Sequence, residues 1–205
     1  AILAPYIPVA SLVGKLLTAL AEGQFMGVTI SYNGEIAQHD TALLKAAVLA
    51  GLLAPVSSEQ VNLINAPLLA QKRGLQVMEQ KSAAAQEYAN LITATLTTGT
   101  GGITLAGTSM RNEPHIVKVN DYWLDIAPSV PYLLFVENQD RPGSIGAVGT
   151  VAGRHNINIS FMEVGRLNAR GQAMMVLGLD DPVPPPVLEE ICALPQIHSA
   201  RLVTL

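Results

Sequence analysis

Apolar and polar residues follow one rhythm in the first third of this chain and another after it. From Pro8 to Glu22, Leu12, Val13, Leu16, Leu17 and Leu20 recur on one side, predicting an amphipathic helix closed by Gly23. Phe25 to Tyr32 alternates and is rich in strand formers, and Asn33-Gly34 marks a turn. Asp40-Thr41 can cap a helix from Ala42 to about Leu53, apolar almost all round and stopped by Pro55. Val61 to Ile64 predicts a short strand. Ala66 to Lys72 predicts a short helix entered through Pro67 and ended at Gly74. Leu75 to Glu79 reads as extended, and the polar, Ala-rich Gln80 to Gln86 as a mobile connector. From Tyr88 onward the pattern is one of strands: Tyr88–Leu96, Ile103–Ser109, Ile116–Val119 and Tyr122–Ile126. Their short connections favour an antiparallel sheet.

Pro128 and Pro131 bracket a linker, so the expected division is residues 1–128 and 129–205. The second part reads strand (Tyr132–Glu137), helix (Gly143–His155), strand (Ile157–Arg166), strand (Gln172–Leu179), helix (Pro186–Leu194), strand (Ser199–Thr204). Asn168 to Gly171 supplies a hairpin turn. That βαββαβ order predicts a ferredoxin-like sandwich, with two helices on one face of four antiparallel strands. The fold class is α+β.

The polar turn after Glu137 holds the candidate chemistry. Asn138 and Asp140 bring polar side chains, Pro142 fixes φ, and Gly143 allows a sharp turn into the helix. The first turn of a helix has unpaired N–H groups and partial positive charge, so it can hold a small carboxylate. Asp140 could accept an ammonium group, and Asn138 and Asn158 offer donors and acceptors. On spacing alone the favoured reading is plainer: Asp140 caps the helix and the asparagines close turns. Gly146, Gly149 and Gly153 form a flat helix face. Packing on the helix's own sheet is the favoured role, and a subunit contact the alternative.

Composition narrows the choices. The chain has 205 residues, 49% of them hydrophobic, enough for a sizeable core. Its net charge of −4, with scattered basic residues, argues against nucleic acid. No apolar run is long enough for a bilayer, so no membrane partner and a cytoplasmic location are expected. Cys192 is the single cysteine, which excludes an internal disulfide and a self-contained iron–sulfur cluster. Within the apolar pattern Leu188, Ile191, Leu194 it reads as a buried, inert thiol. The chain starts at Ala1 without an initiator Met, as a fragment or processed product would.

Catalytic and metal signatures are missing. Gly99-Thr-Gly-Gly102 is the nearest approach to a dinucleotide fingerprint, but its flanks predict a hairpin. There is no phosphate loop ending in Gly-Lys-Ser/Thr and no His-Glu-x-x-His. His39, His115, His155 and His198 are isolated, and no nucleophile has a nearby base. No catalytic residue, resident metal or cofactor is expected in this chain.

Asn138-Gln-Asp-Arg-Pro-Gly-Ser-Ile-Gly through Asn156-Ile-Asn-Ile-Ser, then Met162-Glu-Val-Gly-Arg166 and Ala173-Met-Met-Val-Leu, resembles the ACT domain, an amino-acid-sensing module. More narrowly it resembles the ACT domain that ends long-form D-3-phosphoglycerate dehydrogenases. Upstream, Pro5-Tyr to Leu16, Val61-Asn-Leu-Ile-Asn-Ala-Pro-Leu-Leu-Ala70 with Arg73-Gly74, Tyr88-Ala-Asn-Leu-Ile92 and Ala106-Gly-Thr108 resemble the intervening, allosteric substrate-binding domain of those enzymes. The resemblance implies an N-terminal α/β domain with a mostly antiparallel sheet, then the ACT domain. It implies the regulatory, oligomerising portion of an NAD-dependent oxidoreductase of L-serine biosynthesis, with NAD and catalysis in other domains of the parent polypeptide. It also implies L-serine, or a similar small amino acid, as the feedback effector. The implied effector site is Asn138, Asp140, Pro142, Gly143, Ser144, Ile145 and Asn158, shared between two ACT domains of a homo-oligomer, which reverses the capping reading of Asp140. A weaker anion site falls at Arg111, His115 and Lys118, where solvated surface charge is the favoured reading. The alternatives are a chain like the β subunit of iron–sulfur L-serine dehydratases and an ACT pair that only assembles.

Overall fold

The computed structural model describes residues 2–205, which divide after Asn120 into two compact units. In the first, helix α1 (Tyr6–Leu20) is followed by strand β1 (Phe25–Gly34) and a short 3-10 turn (Glu35–Gln38). Helices α2 (Ala42–Leu53) and α3 (Ala66–Lys72) come next. Strands β2 (Gln76–Ser82), β3 (Asn90–Thr98), β4 (Gly101–Met110) and β5 (Glu113–Val119) complete a sheet of order β2-β1-β3-β4-β5, and β6 (Tyr122–Ile126) opens the second unit. β1 and β2 run parallel, while β1–β3, β3–β4 and β4–β5 are antiparallel.

One face of this sheet is apolar by register. Val28, Ile30 and Tyr32 stand opposite Leu96, Ala94 and Ile92, which in turn oppose Ile103, Leu105 and Gly107. α1 covers it closely enough that Val9 and Val13 lie against Gly107. At the β2 edge, Tyr32 and Thr41 each donate a hydroxyl to Glu79 Oε1 at 3.3 Å, and Lys45 pairs with Glu79 Oε2 at 2.8 Å. Burial and then the Glu79 charge push the Tyr32 phenol far above its ordinary range.

Two local expectations need correction, and one is narrowed to a single residue. Val61–Ile64 is not a strand. Asn62 Oδ1 accepts from the Ile64 and Asn65 amides, and Asn65 Oδ1 accepts from the Asn62 amide. Those side chains offer the backbone a turn in place of a sheet ladder. Gln80–Ser82 belongs to β2 and is not connector, because it pairs with Ser31–Asn33 at an exposed edge that tolerates polar side chains. Before α2, it is Asp40 Oδ1 that accepts from the Ala42 amide, while Thr41 directs its hydroxyl to Glu79.

The second unit carries β7 (Tyr132–Gln139), α4 (Ser144–Arg154), β8 (Ile159–Arg166), β9 (Gln172–Leu179), α5 (Pro185–Cys192) and β10 (Ile197–Thr204). The order β10-β7-β9-β8, with all three pairings antiparallel, is the ferredoxin-like sandwich expected of the βαββαβ sequence. Leu134, Val136, Met175 and Leu177 form a core with Val148 and Val151 of α4 and Val187 and Ile191 of α5. Cys192 is exposed, against expectation. The buried stripe of α5 is Val187 and Ile191, and the next residue lies about 100° further round the helix. The expected packing of Gly146, Gly149 and Gly153 on their own sheet is also wrong. A Cβ at any of them would meet nothing within 4 Å. Val148, Val151 and Ala152 face the core, so the glycines face outward.

Candidate effector site

The turn between β7 and α4 gathers most of the residues singled out from sequence. Gly143 takes φ +93°, a conformation that favours glycine, and sets the chain into the first turn of α4. Ser144 donates its hydroxyl to the Gln139 carbonyl at 3.1 Å, and Asn138 Nδ2 donates to the same carbonyl at 3.0 Å. Asn138 is 3% exposed, and its Oδ1 has no hydrogen-bond partner. A buried acceptor left open is costly, and it stands beside the first residue of α4. Pro142 and Ile145 flank this turn, and Ile145 is exposed.

Asp140 does not cap α4. Its Oδ2 accepts from the Arg170 backbone N–H at 3.0 Å and from Arg166 Nη1 at 3.2 Å. Arg170, with the Arg166 guanidinium second, holds the Asp140 carboxyl below the usual aspartate range. The Asp140 amide donates to the Gly171 carbonyl at 2.8 Å, and Gln139 Nε2 donates to the Arg170 carbonyl. So the β8–β9 hairpin turn is fastened to the β7–α4 turn. The hairpin itself was legible as Asn168–Gly171, but the arginines that reach Asp140 were not, since nothing local marks which strand end lies beside which turn.

Asn158 stands elsewhere. β7 and β8 both pair antiparallel with β9, so they run parallel to one another. Asp140 follows the end of β7, whereas Asn158 precedes the start of β8, about 25 Å away along a strand of eight residues. There Asn158 Nδ2 donates to Asp180, and its backbone N–H donates to Asp181 Oδ2 at 3.1 Å. Asn158 Oδ1 is left as the acceptor of that amide. Within one chain the expected residues fall into two groups, at opposite ends of the sheet.

In the first unit, His115 and Lys118 are three apart and would alternate faces in a regular strand. A register shift in β5 changes this. His115 opposes Thr108 and Lys118 opposes Ala106, two residues apart on one strand, so both share the face opposite α1. Arg111 lies in the β4–β5 turn with φ +54°. Gly99 and Thr100 form the β3–β4 hairpin turn, not a strand-to-helix turn, so they make no cradle for a dinucleotide.

Known proteins can now be set beside this geometry. The description "ACT domain" matches residues 132–196, which makes the second unit one of these small modules. "D-3-phosphoglycerate dehydrogenase intervening domain" matches residues 2–120, and the chain belongs to the D-3-phosphoglycerate dehydrogenase family, whose intervening and ACT domains it carries. Relatives named D-3-phosphoglycerate dehydrogenase include one from Methanocaldococcus jannaschii, 34% identical over 99% of this chain and 38% of its own length. Another, from Synechocystis, is 35% identical over 99% of this chain and 37% of its own. That of Bacillus subtilis is 32% identical over 98% and 38%. The chain thus spans somewhat over a third of the relatives it matches. Among the described residues no helix is long and apolar enough to cross a membrane.

Proposed function

We propose that this chain is the amino-acid-sensing, oligomerising portion of a cytoplasmic, NAD-dependent D-3-phosphoglycerate dehydrogenase, and that it binds L-serine for feedback inhibition. The effector sits at the first turn of α4, against Asn138 and Asp140, and is completed by Asn158 of a second copy. The observation that carries this reading is the buried Asn138 Oδ1 without a partner beside that turn. The Ser144 amide donates to the Arg141 carbonyl at 3.1 Å; the partial positive charge of the helix terminus beyond it suits a carboxylate, and Asp140 suits an ammonium group.

The separation of the two groups supports a shared site. β8 is an edge strand, and α4 presents a flat outward face at Gly146, Gly149 and Gly153. Two copies related by a two-fold axis perpendicular to these elements would lie antiparallel, bringing the Asn158 end of one to the Asp140 end of the other. A ligand bridging the copies favours the paired arrangement by its differential affinity, and that difference is what reaches the rest of the enzyme. NAD chemistry is assigned to the remainder of the parent polypeptide. The shared face of His115 and Lys118 gives the first unit a secondary capacity for a small anion.

Calorimetry with L-serine tests the reading. Heat with the unmodified chain, and its loss in Asn158→Ala, is the expected result. No heat from the unmodified chain at millimolar L-serine, glycine or L-alanine would remove the sensor from consideration.

A further inference from the structure

Arg166, Ala173 and Asn138 stand in one row across β8, β9 and β7, each opposite the next. Residues in such a row share a face. Asn138 lies two residues beyond Val136, which is in the core under α4. So Arg166 points to the helix-bearing face, at the end where α4 begins, with only the small Ala173 between it and Asn138. It is the residue at that end that reaches Asp140 from the edge strand, with Nη1 3.2 Å from Oδ2.

Both contacts to the Asp140 carboxylate, from Arg166 and from the Arg170 amide, fall on Oδ2. Oδ1 is left for a third donor. Arg166 spends one of its five N–H donors on this pair, and its side chain is 59% exposed. A guanidinium so placed can bind a ligand carboxylate while keeping its bond to Asp140.

We propose that Arg166 is a specificity-determining residue of the effector site, forming with Asp140 a clamp for a zwitterion: Arg166 takes the ligand's carboxylate and Asp140 its ammonium group. This rests on the sensor reading above. The physical reason is charge balance. Asp140 alone would repel a carboxylate placed at the α4 terminus, whereas the Asp140–Arg166 pair is neutral overall and presents both signs. A neutral zwitterion then enters without bringing in net charge, which an amine or a hydroxy acid cannot do. Removing Arg166 leaves a net-negative site that favours amines. Removing the Asp140 charge leaves a net-positive site that favours acids.

The test is titration calorimetry of the full chain and its R166Q, R166K, D140N and N158A variants with three probes: L-serine, ethanolamine without the carboxylate, and L-glycerate without the ammonium group. Melting temperatures verify folding. R166Q should weaken L-serine at least about tenfold and bind ethanolamine more tightly than the unmodified chain does, with R166K, which keeps the charge, weakened less. D140N should lose L-serine and gain on L-glycerate. Should R166Q bind L-serine like the unmodified chain while N158A has lost it, the clamp is wrong and the sensor stands. Should the unmodified chain bind no amino acid, both fall. If R166Q does not fold, D140N decides: an unchanged ratio of affinities for L-serine, ethanolamine and L-glycerate overturns the clamp.

Discussion

Gly14 of α1 and Gly51 of α2 are each pressed against the backbone of the opposite helix. A Cβ on Gly14 would lie 2.0 Å from the Val48 carbonyl oxygen, and one on Gly51 would lie 2.1 Å from that of Ser11. The two helices therefore meet main chain to main chain. Alanine in place of a helical glycine ordinarily gains about 1 kcal/mol. Here Gly14→Ala or Gly51→Ala should instead destabilise by about 2 kcal/mol, because a rigid carbonyl must move. Urea unfolding of each variant measures it, with Gly149→Ala, which meets open space, as the control of opposite sign.

Asn138 carries a stability cost. Its Oδ1 is buried without a partner, while the Gln139 carbonyl that its Nδ2 serves also receives Ser144. Asn138→Leu keeps the size and removes the open acceptor. The unliganded chain should melt at the same temperature or higher, by up to about 1 kcal/mol of added stability. The rise in melting temperature on adding L-serine should vanish. Scanning calorimetry with and without the amino acid reads both effects.

The outward glycines of α4 predict a separation of folding from assembly. A Cβ at Gly149 meets nothing within 4 Å, so Gly149→Leu directs its side chain outward and should leave the melting transition intact. It should abolish self-association, and with it the response to L-serine, because Asn158 then has no partner terminus to complete. Light scattering of the variant gives the mass directly.

Glu163 on β8 carries a pH signature. Burial first, and the neighbouring Asp125 charge second, raise its carboxyl above the ordinary 4.5, even though the Asp125 amide donates to it. An acid raised in the folded state binds more protons folded than unfolded. Stability therefore falls as pH rises through the interval above 4.5, up to the folded value. Glu163→Gln keeps the amide contact and removes the charge. Its melting temperature should exceed that of the unmodified chain at pH 7 and not at pH 4.

Asp140 titrates in the opposite sense. Held below 3.8 by Arg170 and Arg166, it adds stability at every pH above that value and loses it only as acid protonates the folded carboxyl. The hairpin clamp should persist unchanged from pH 5 to pH 8, and release only below the ordinary aspartate range. Exchange protection of the Arg170 amide, followed by NMR, reports the release.

Local physics made much of this protein legible without coordinates. Leu12, Val13, Leu16 and Leu17 place a helix because their period is that of the α-helix, and the alternation of Phe25–Tyr32 places a strand in the same way. The βαββαβ order of the second unit prescribes its sandwich, since few connections join such elements without crossing. Gly143 and Ser144 mark the start of α4 through backbone chemistry confined to a few residues. Those are properties of neighbours in sequence, and the sequence by itself determines them. What Asp140 touches is not of that kind. Arg166 lies 26 residues away and meets it because β8 happens to end beside the β7 turn. The outward direction of Gly146, Gly149 and Gly153 followed from which stripe of α4 won the core. The exposure of Cys192 followed from a single step of helical rotation past Ile191. His115 and Lys118 share a face only through a bulge in β5. Each of these depends on competition for one buried surface, or on a register summed over distant strands, and only the tertiary structure decides it.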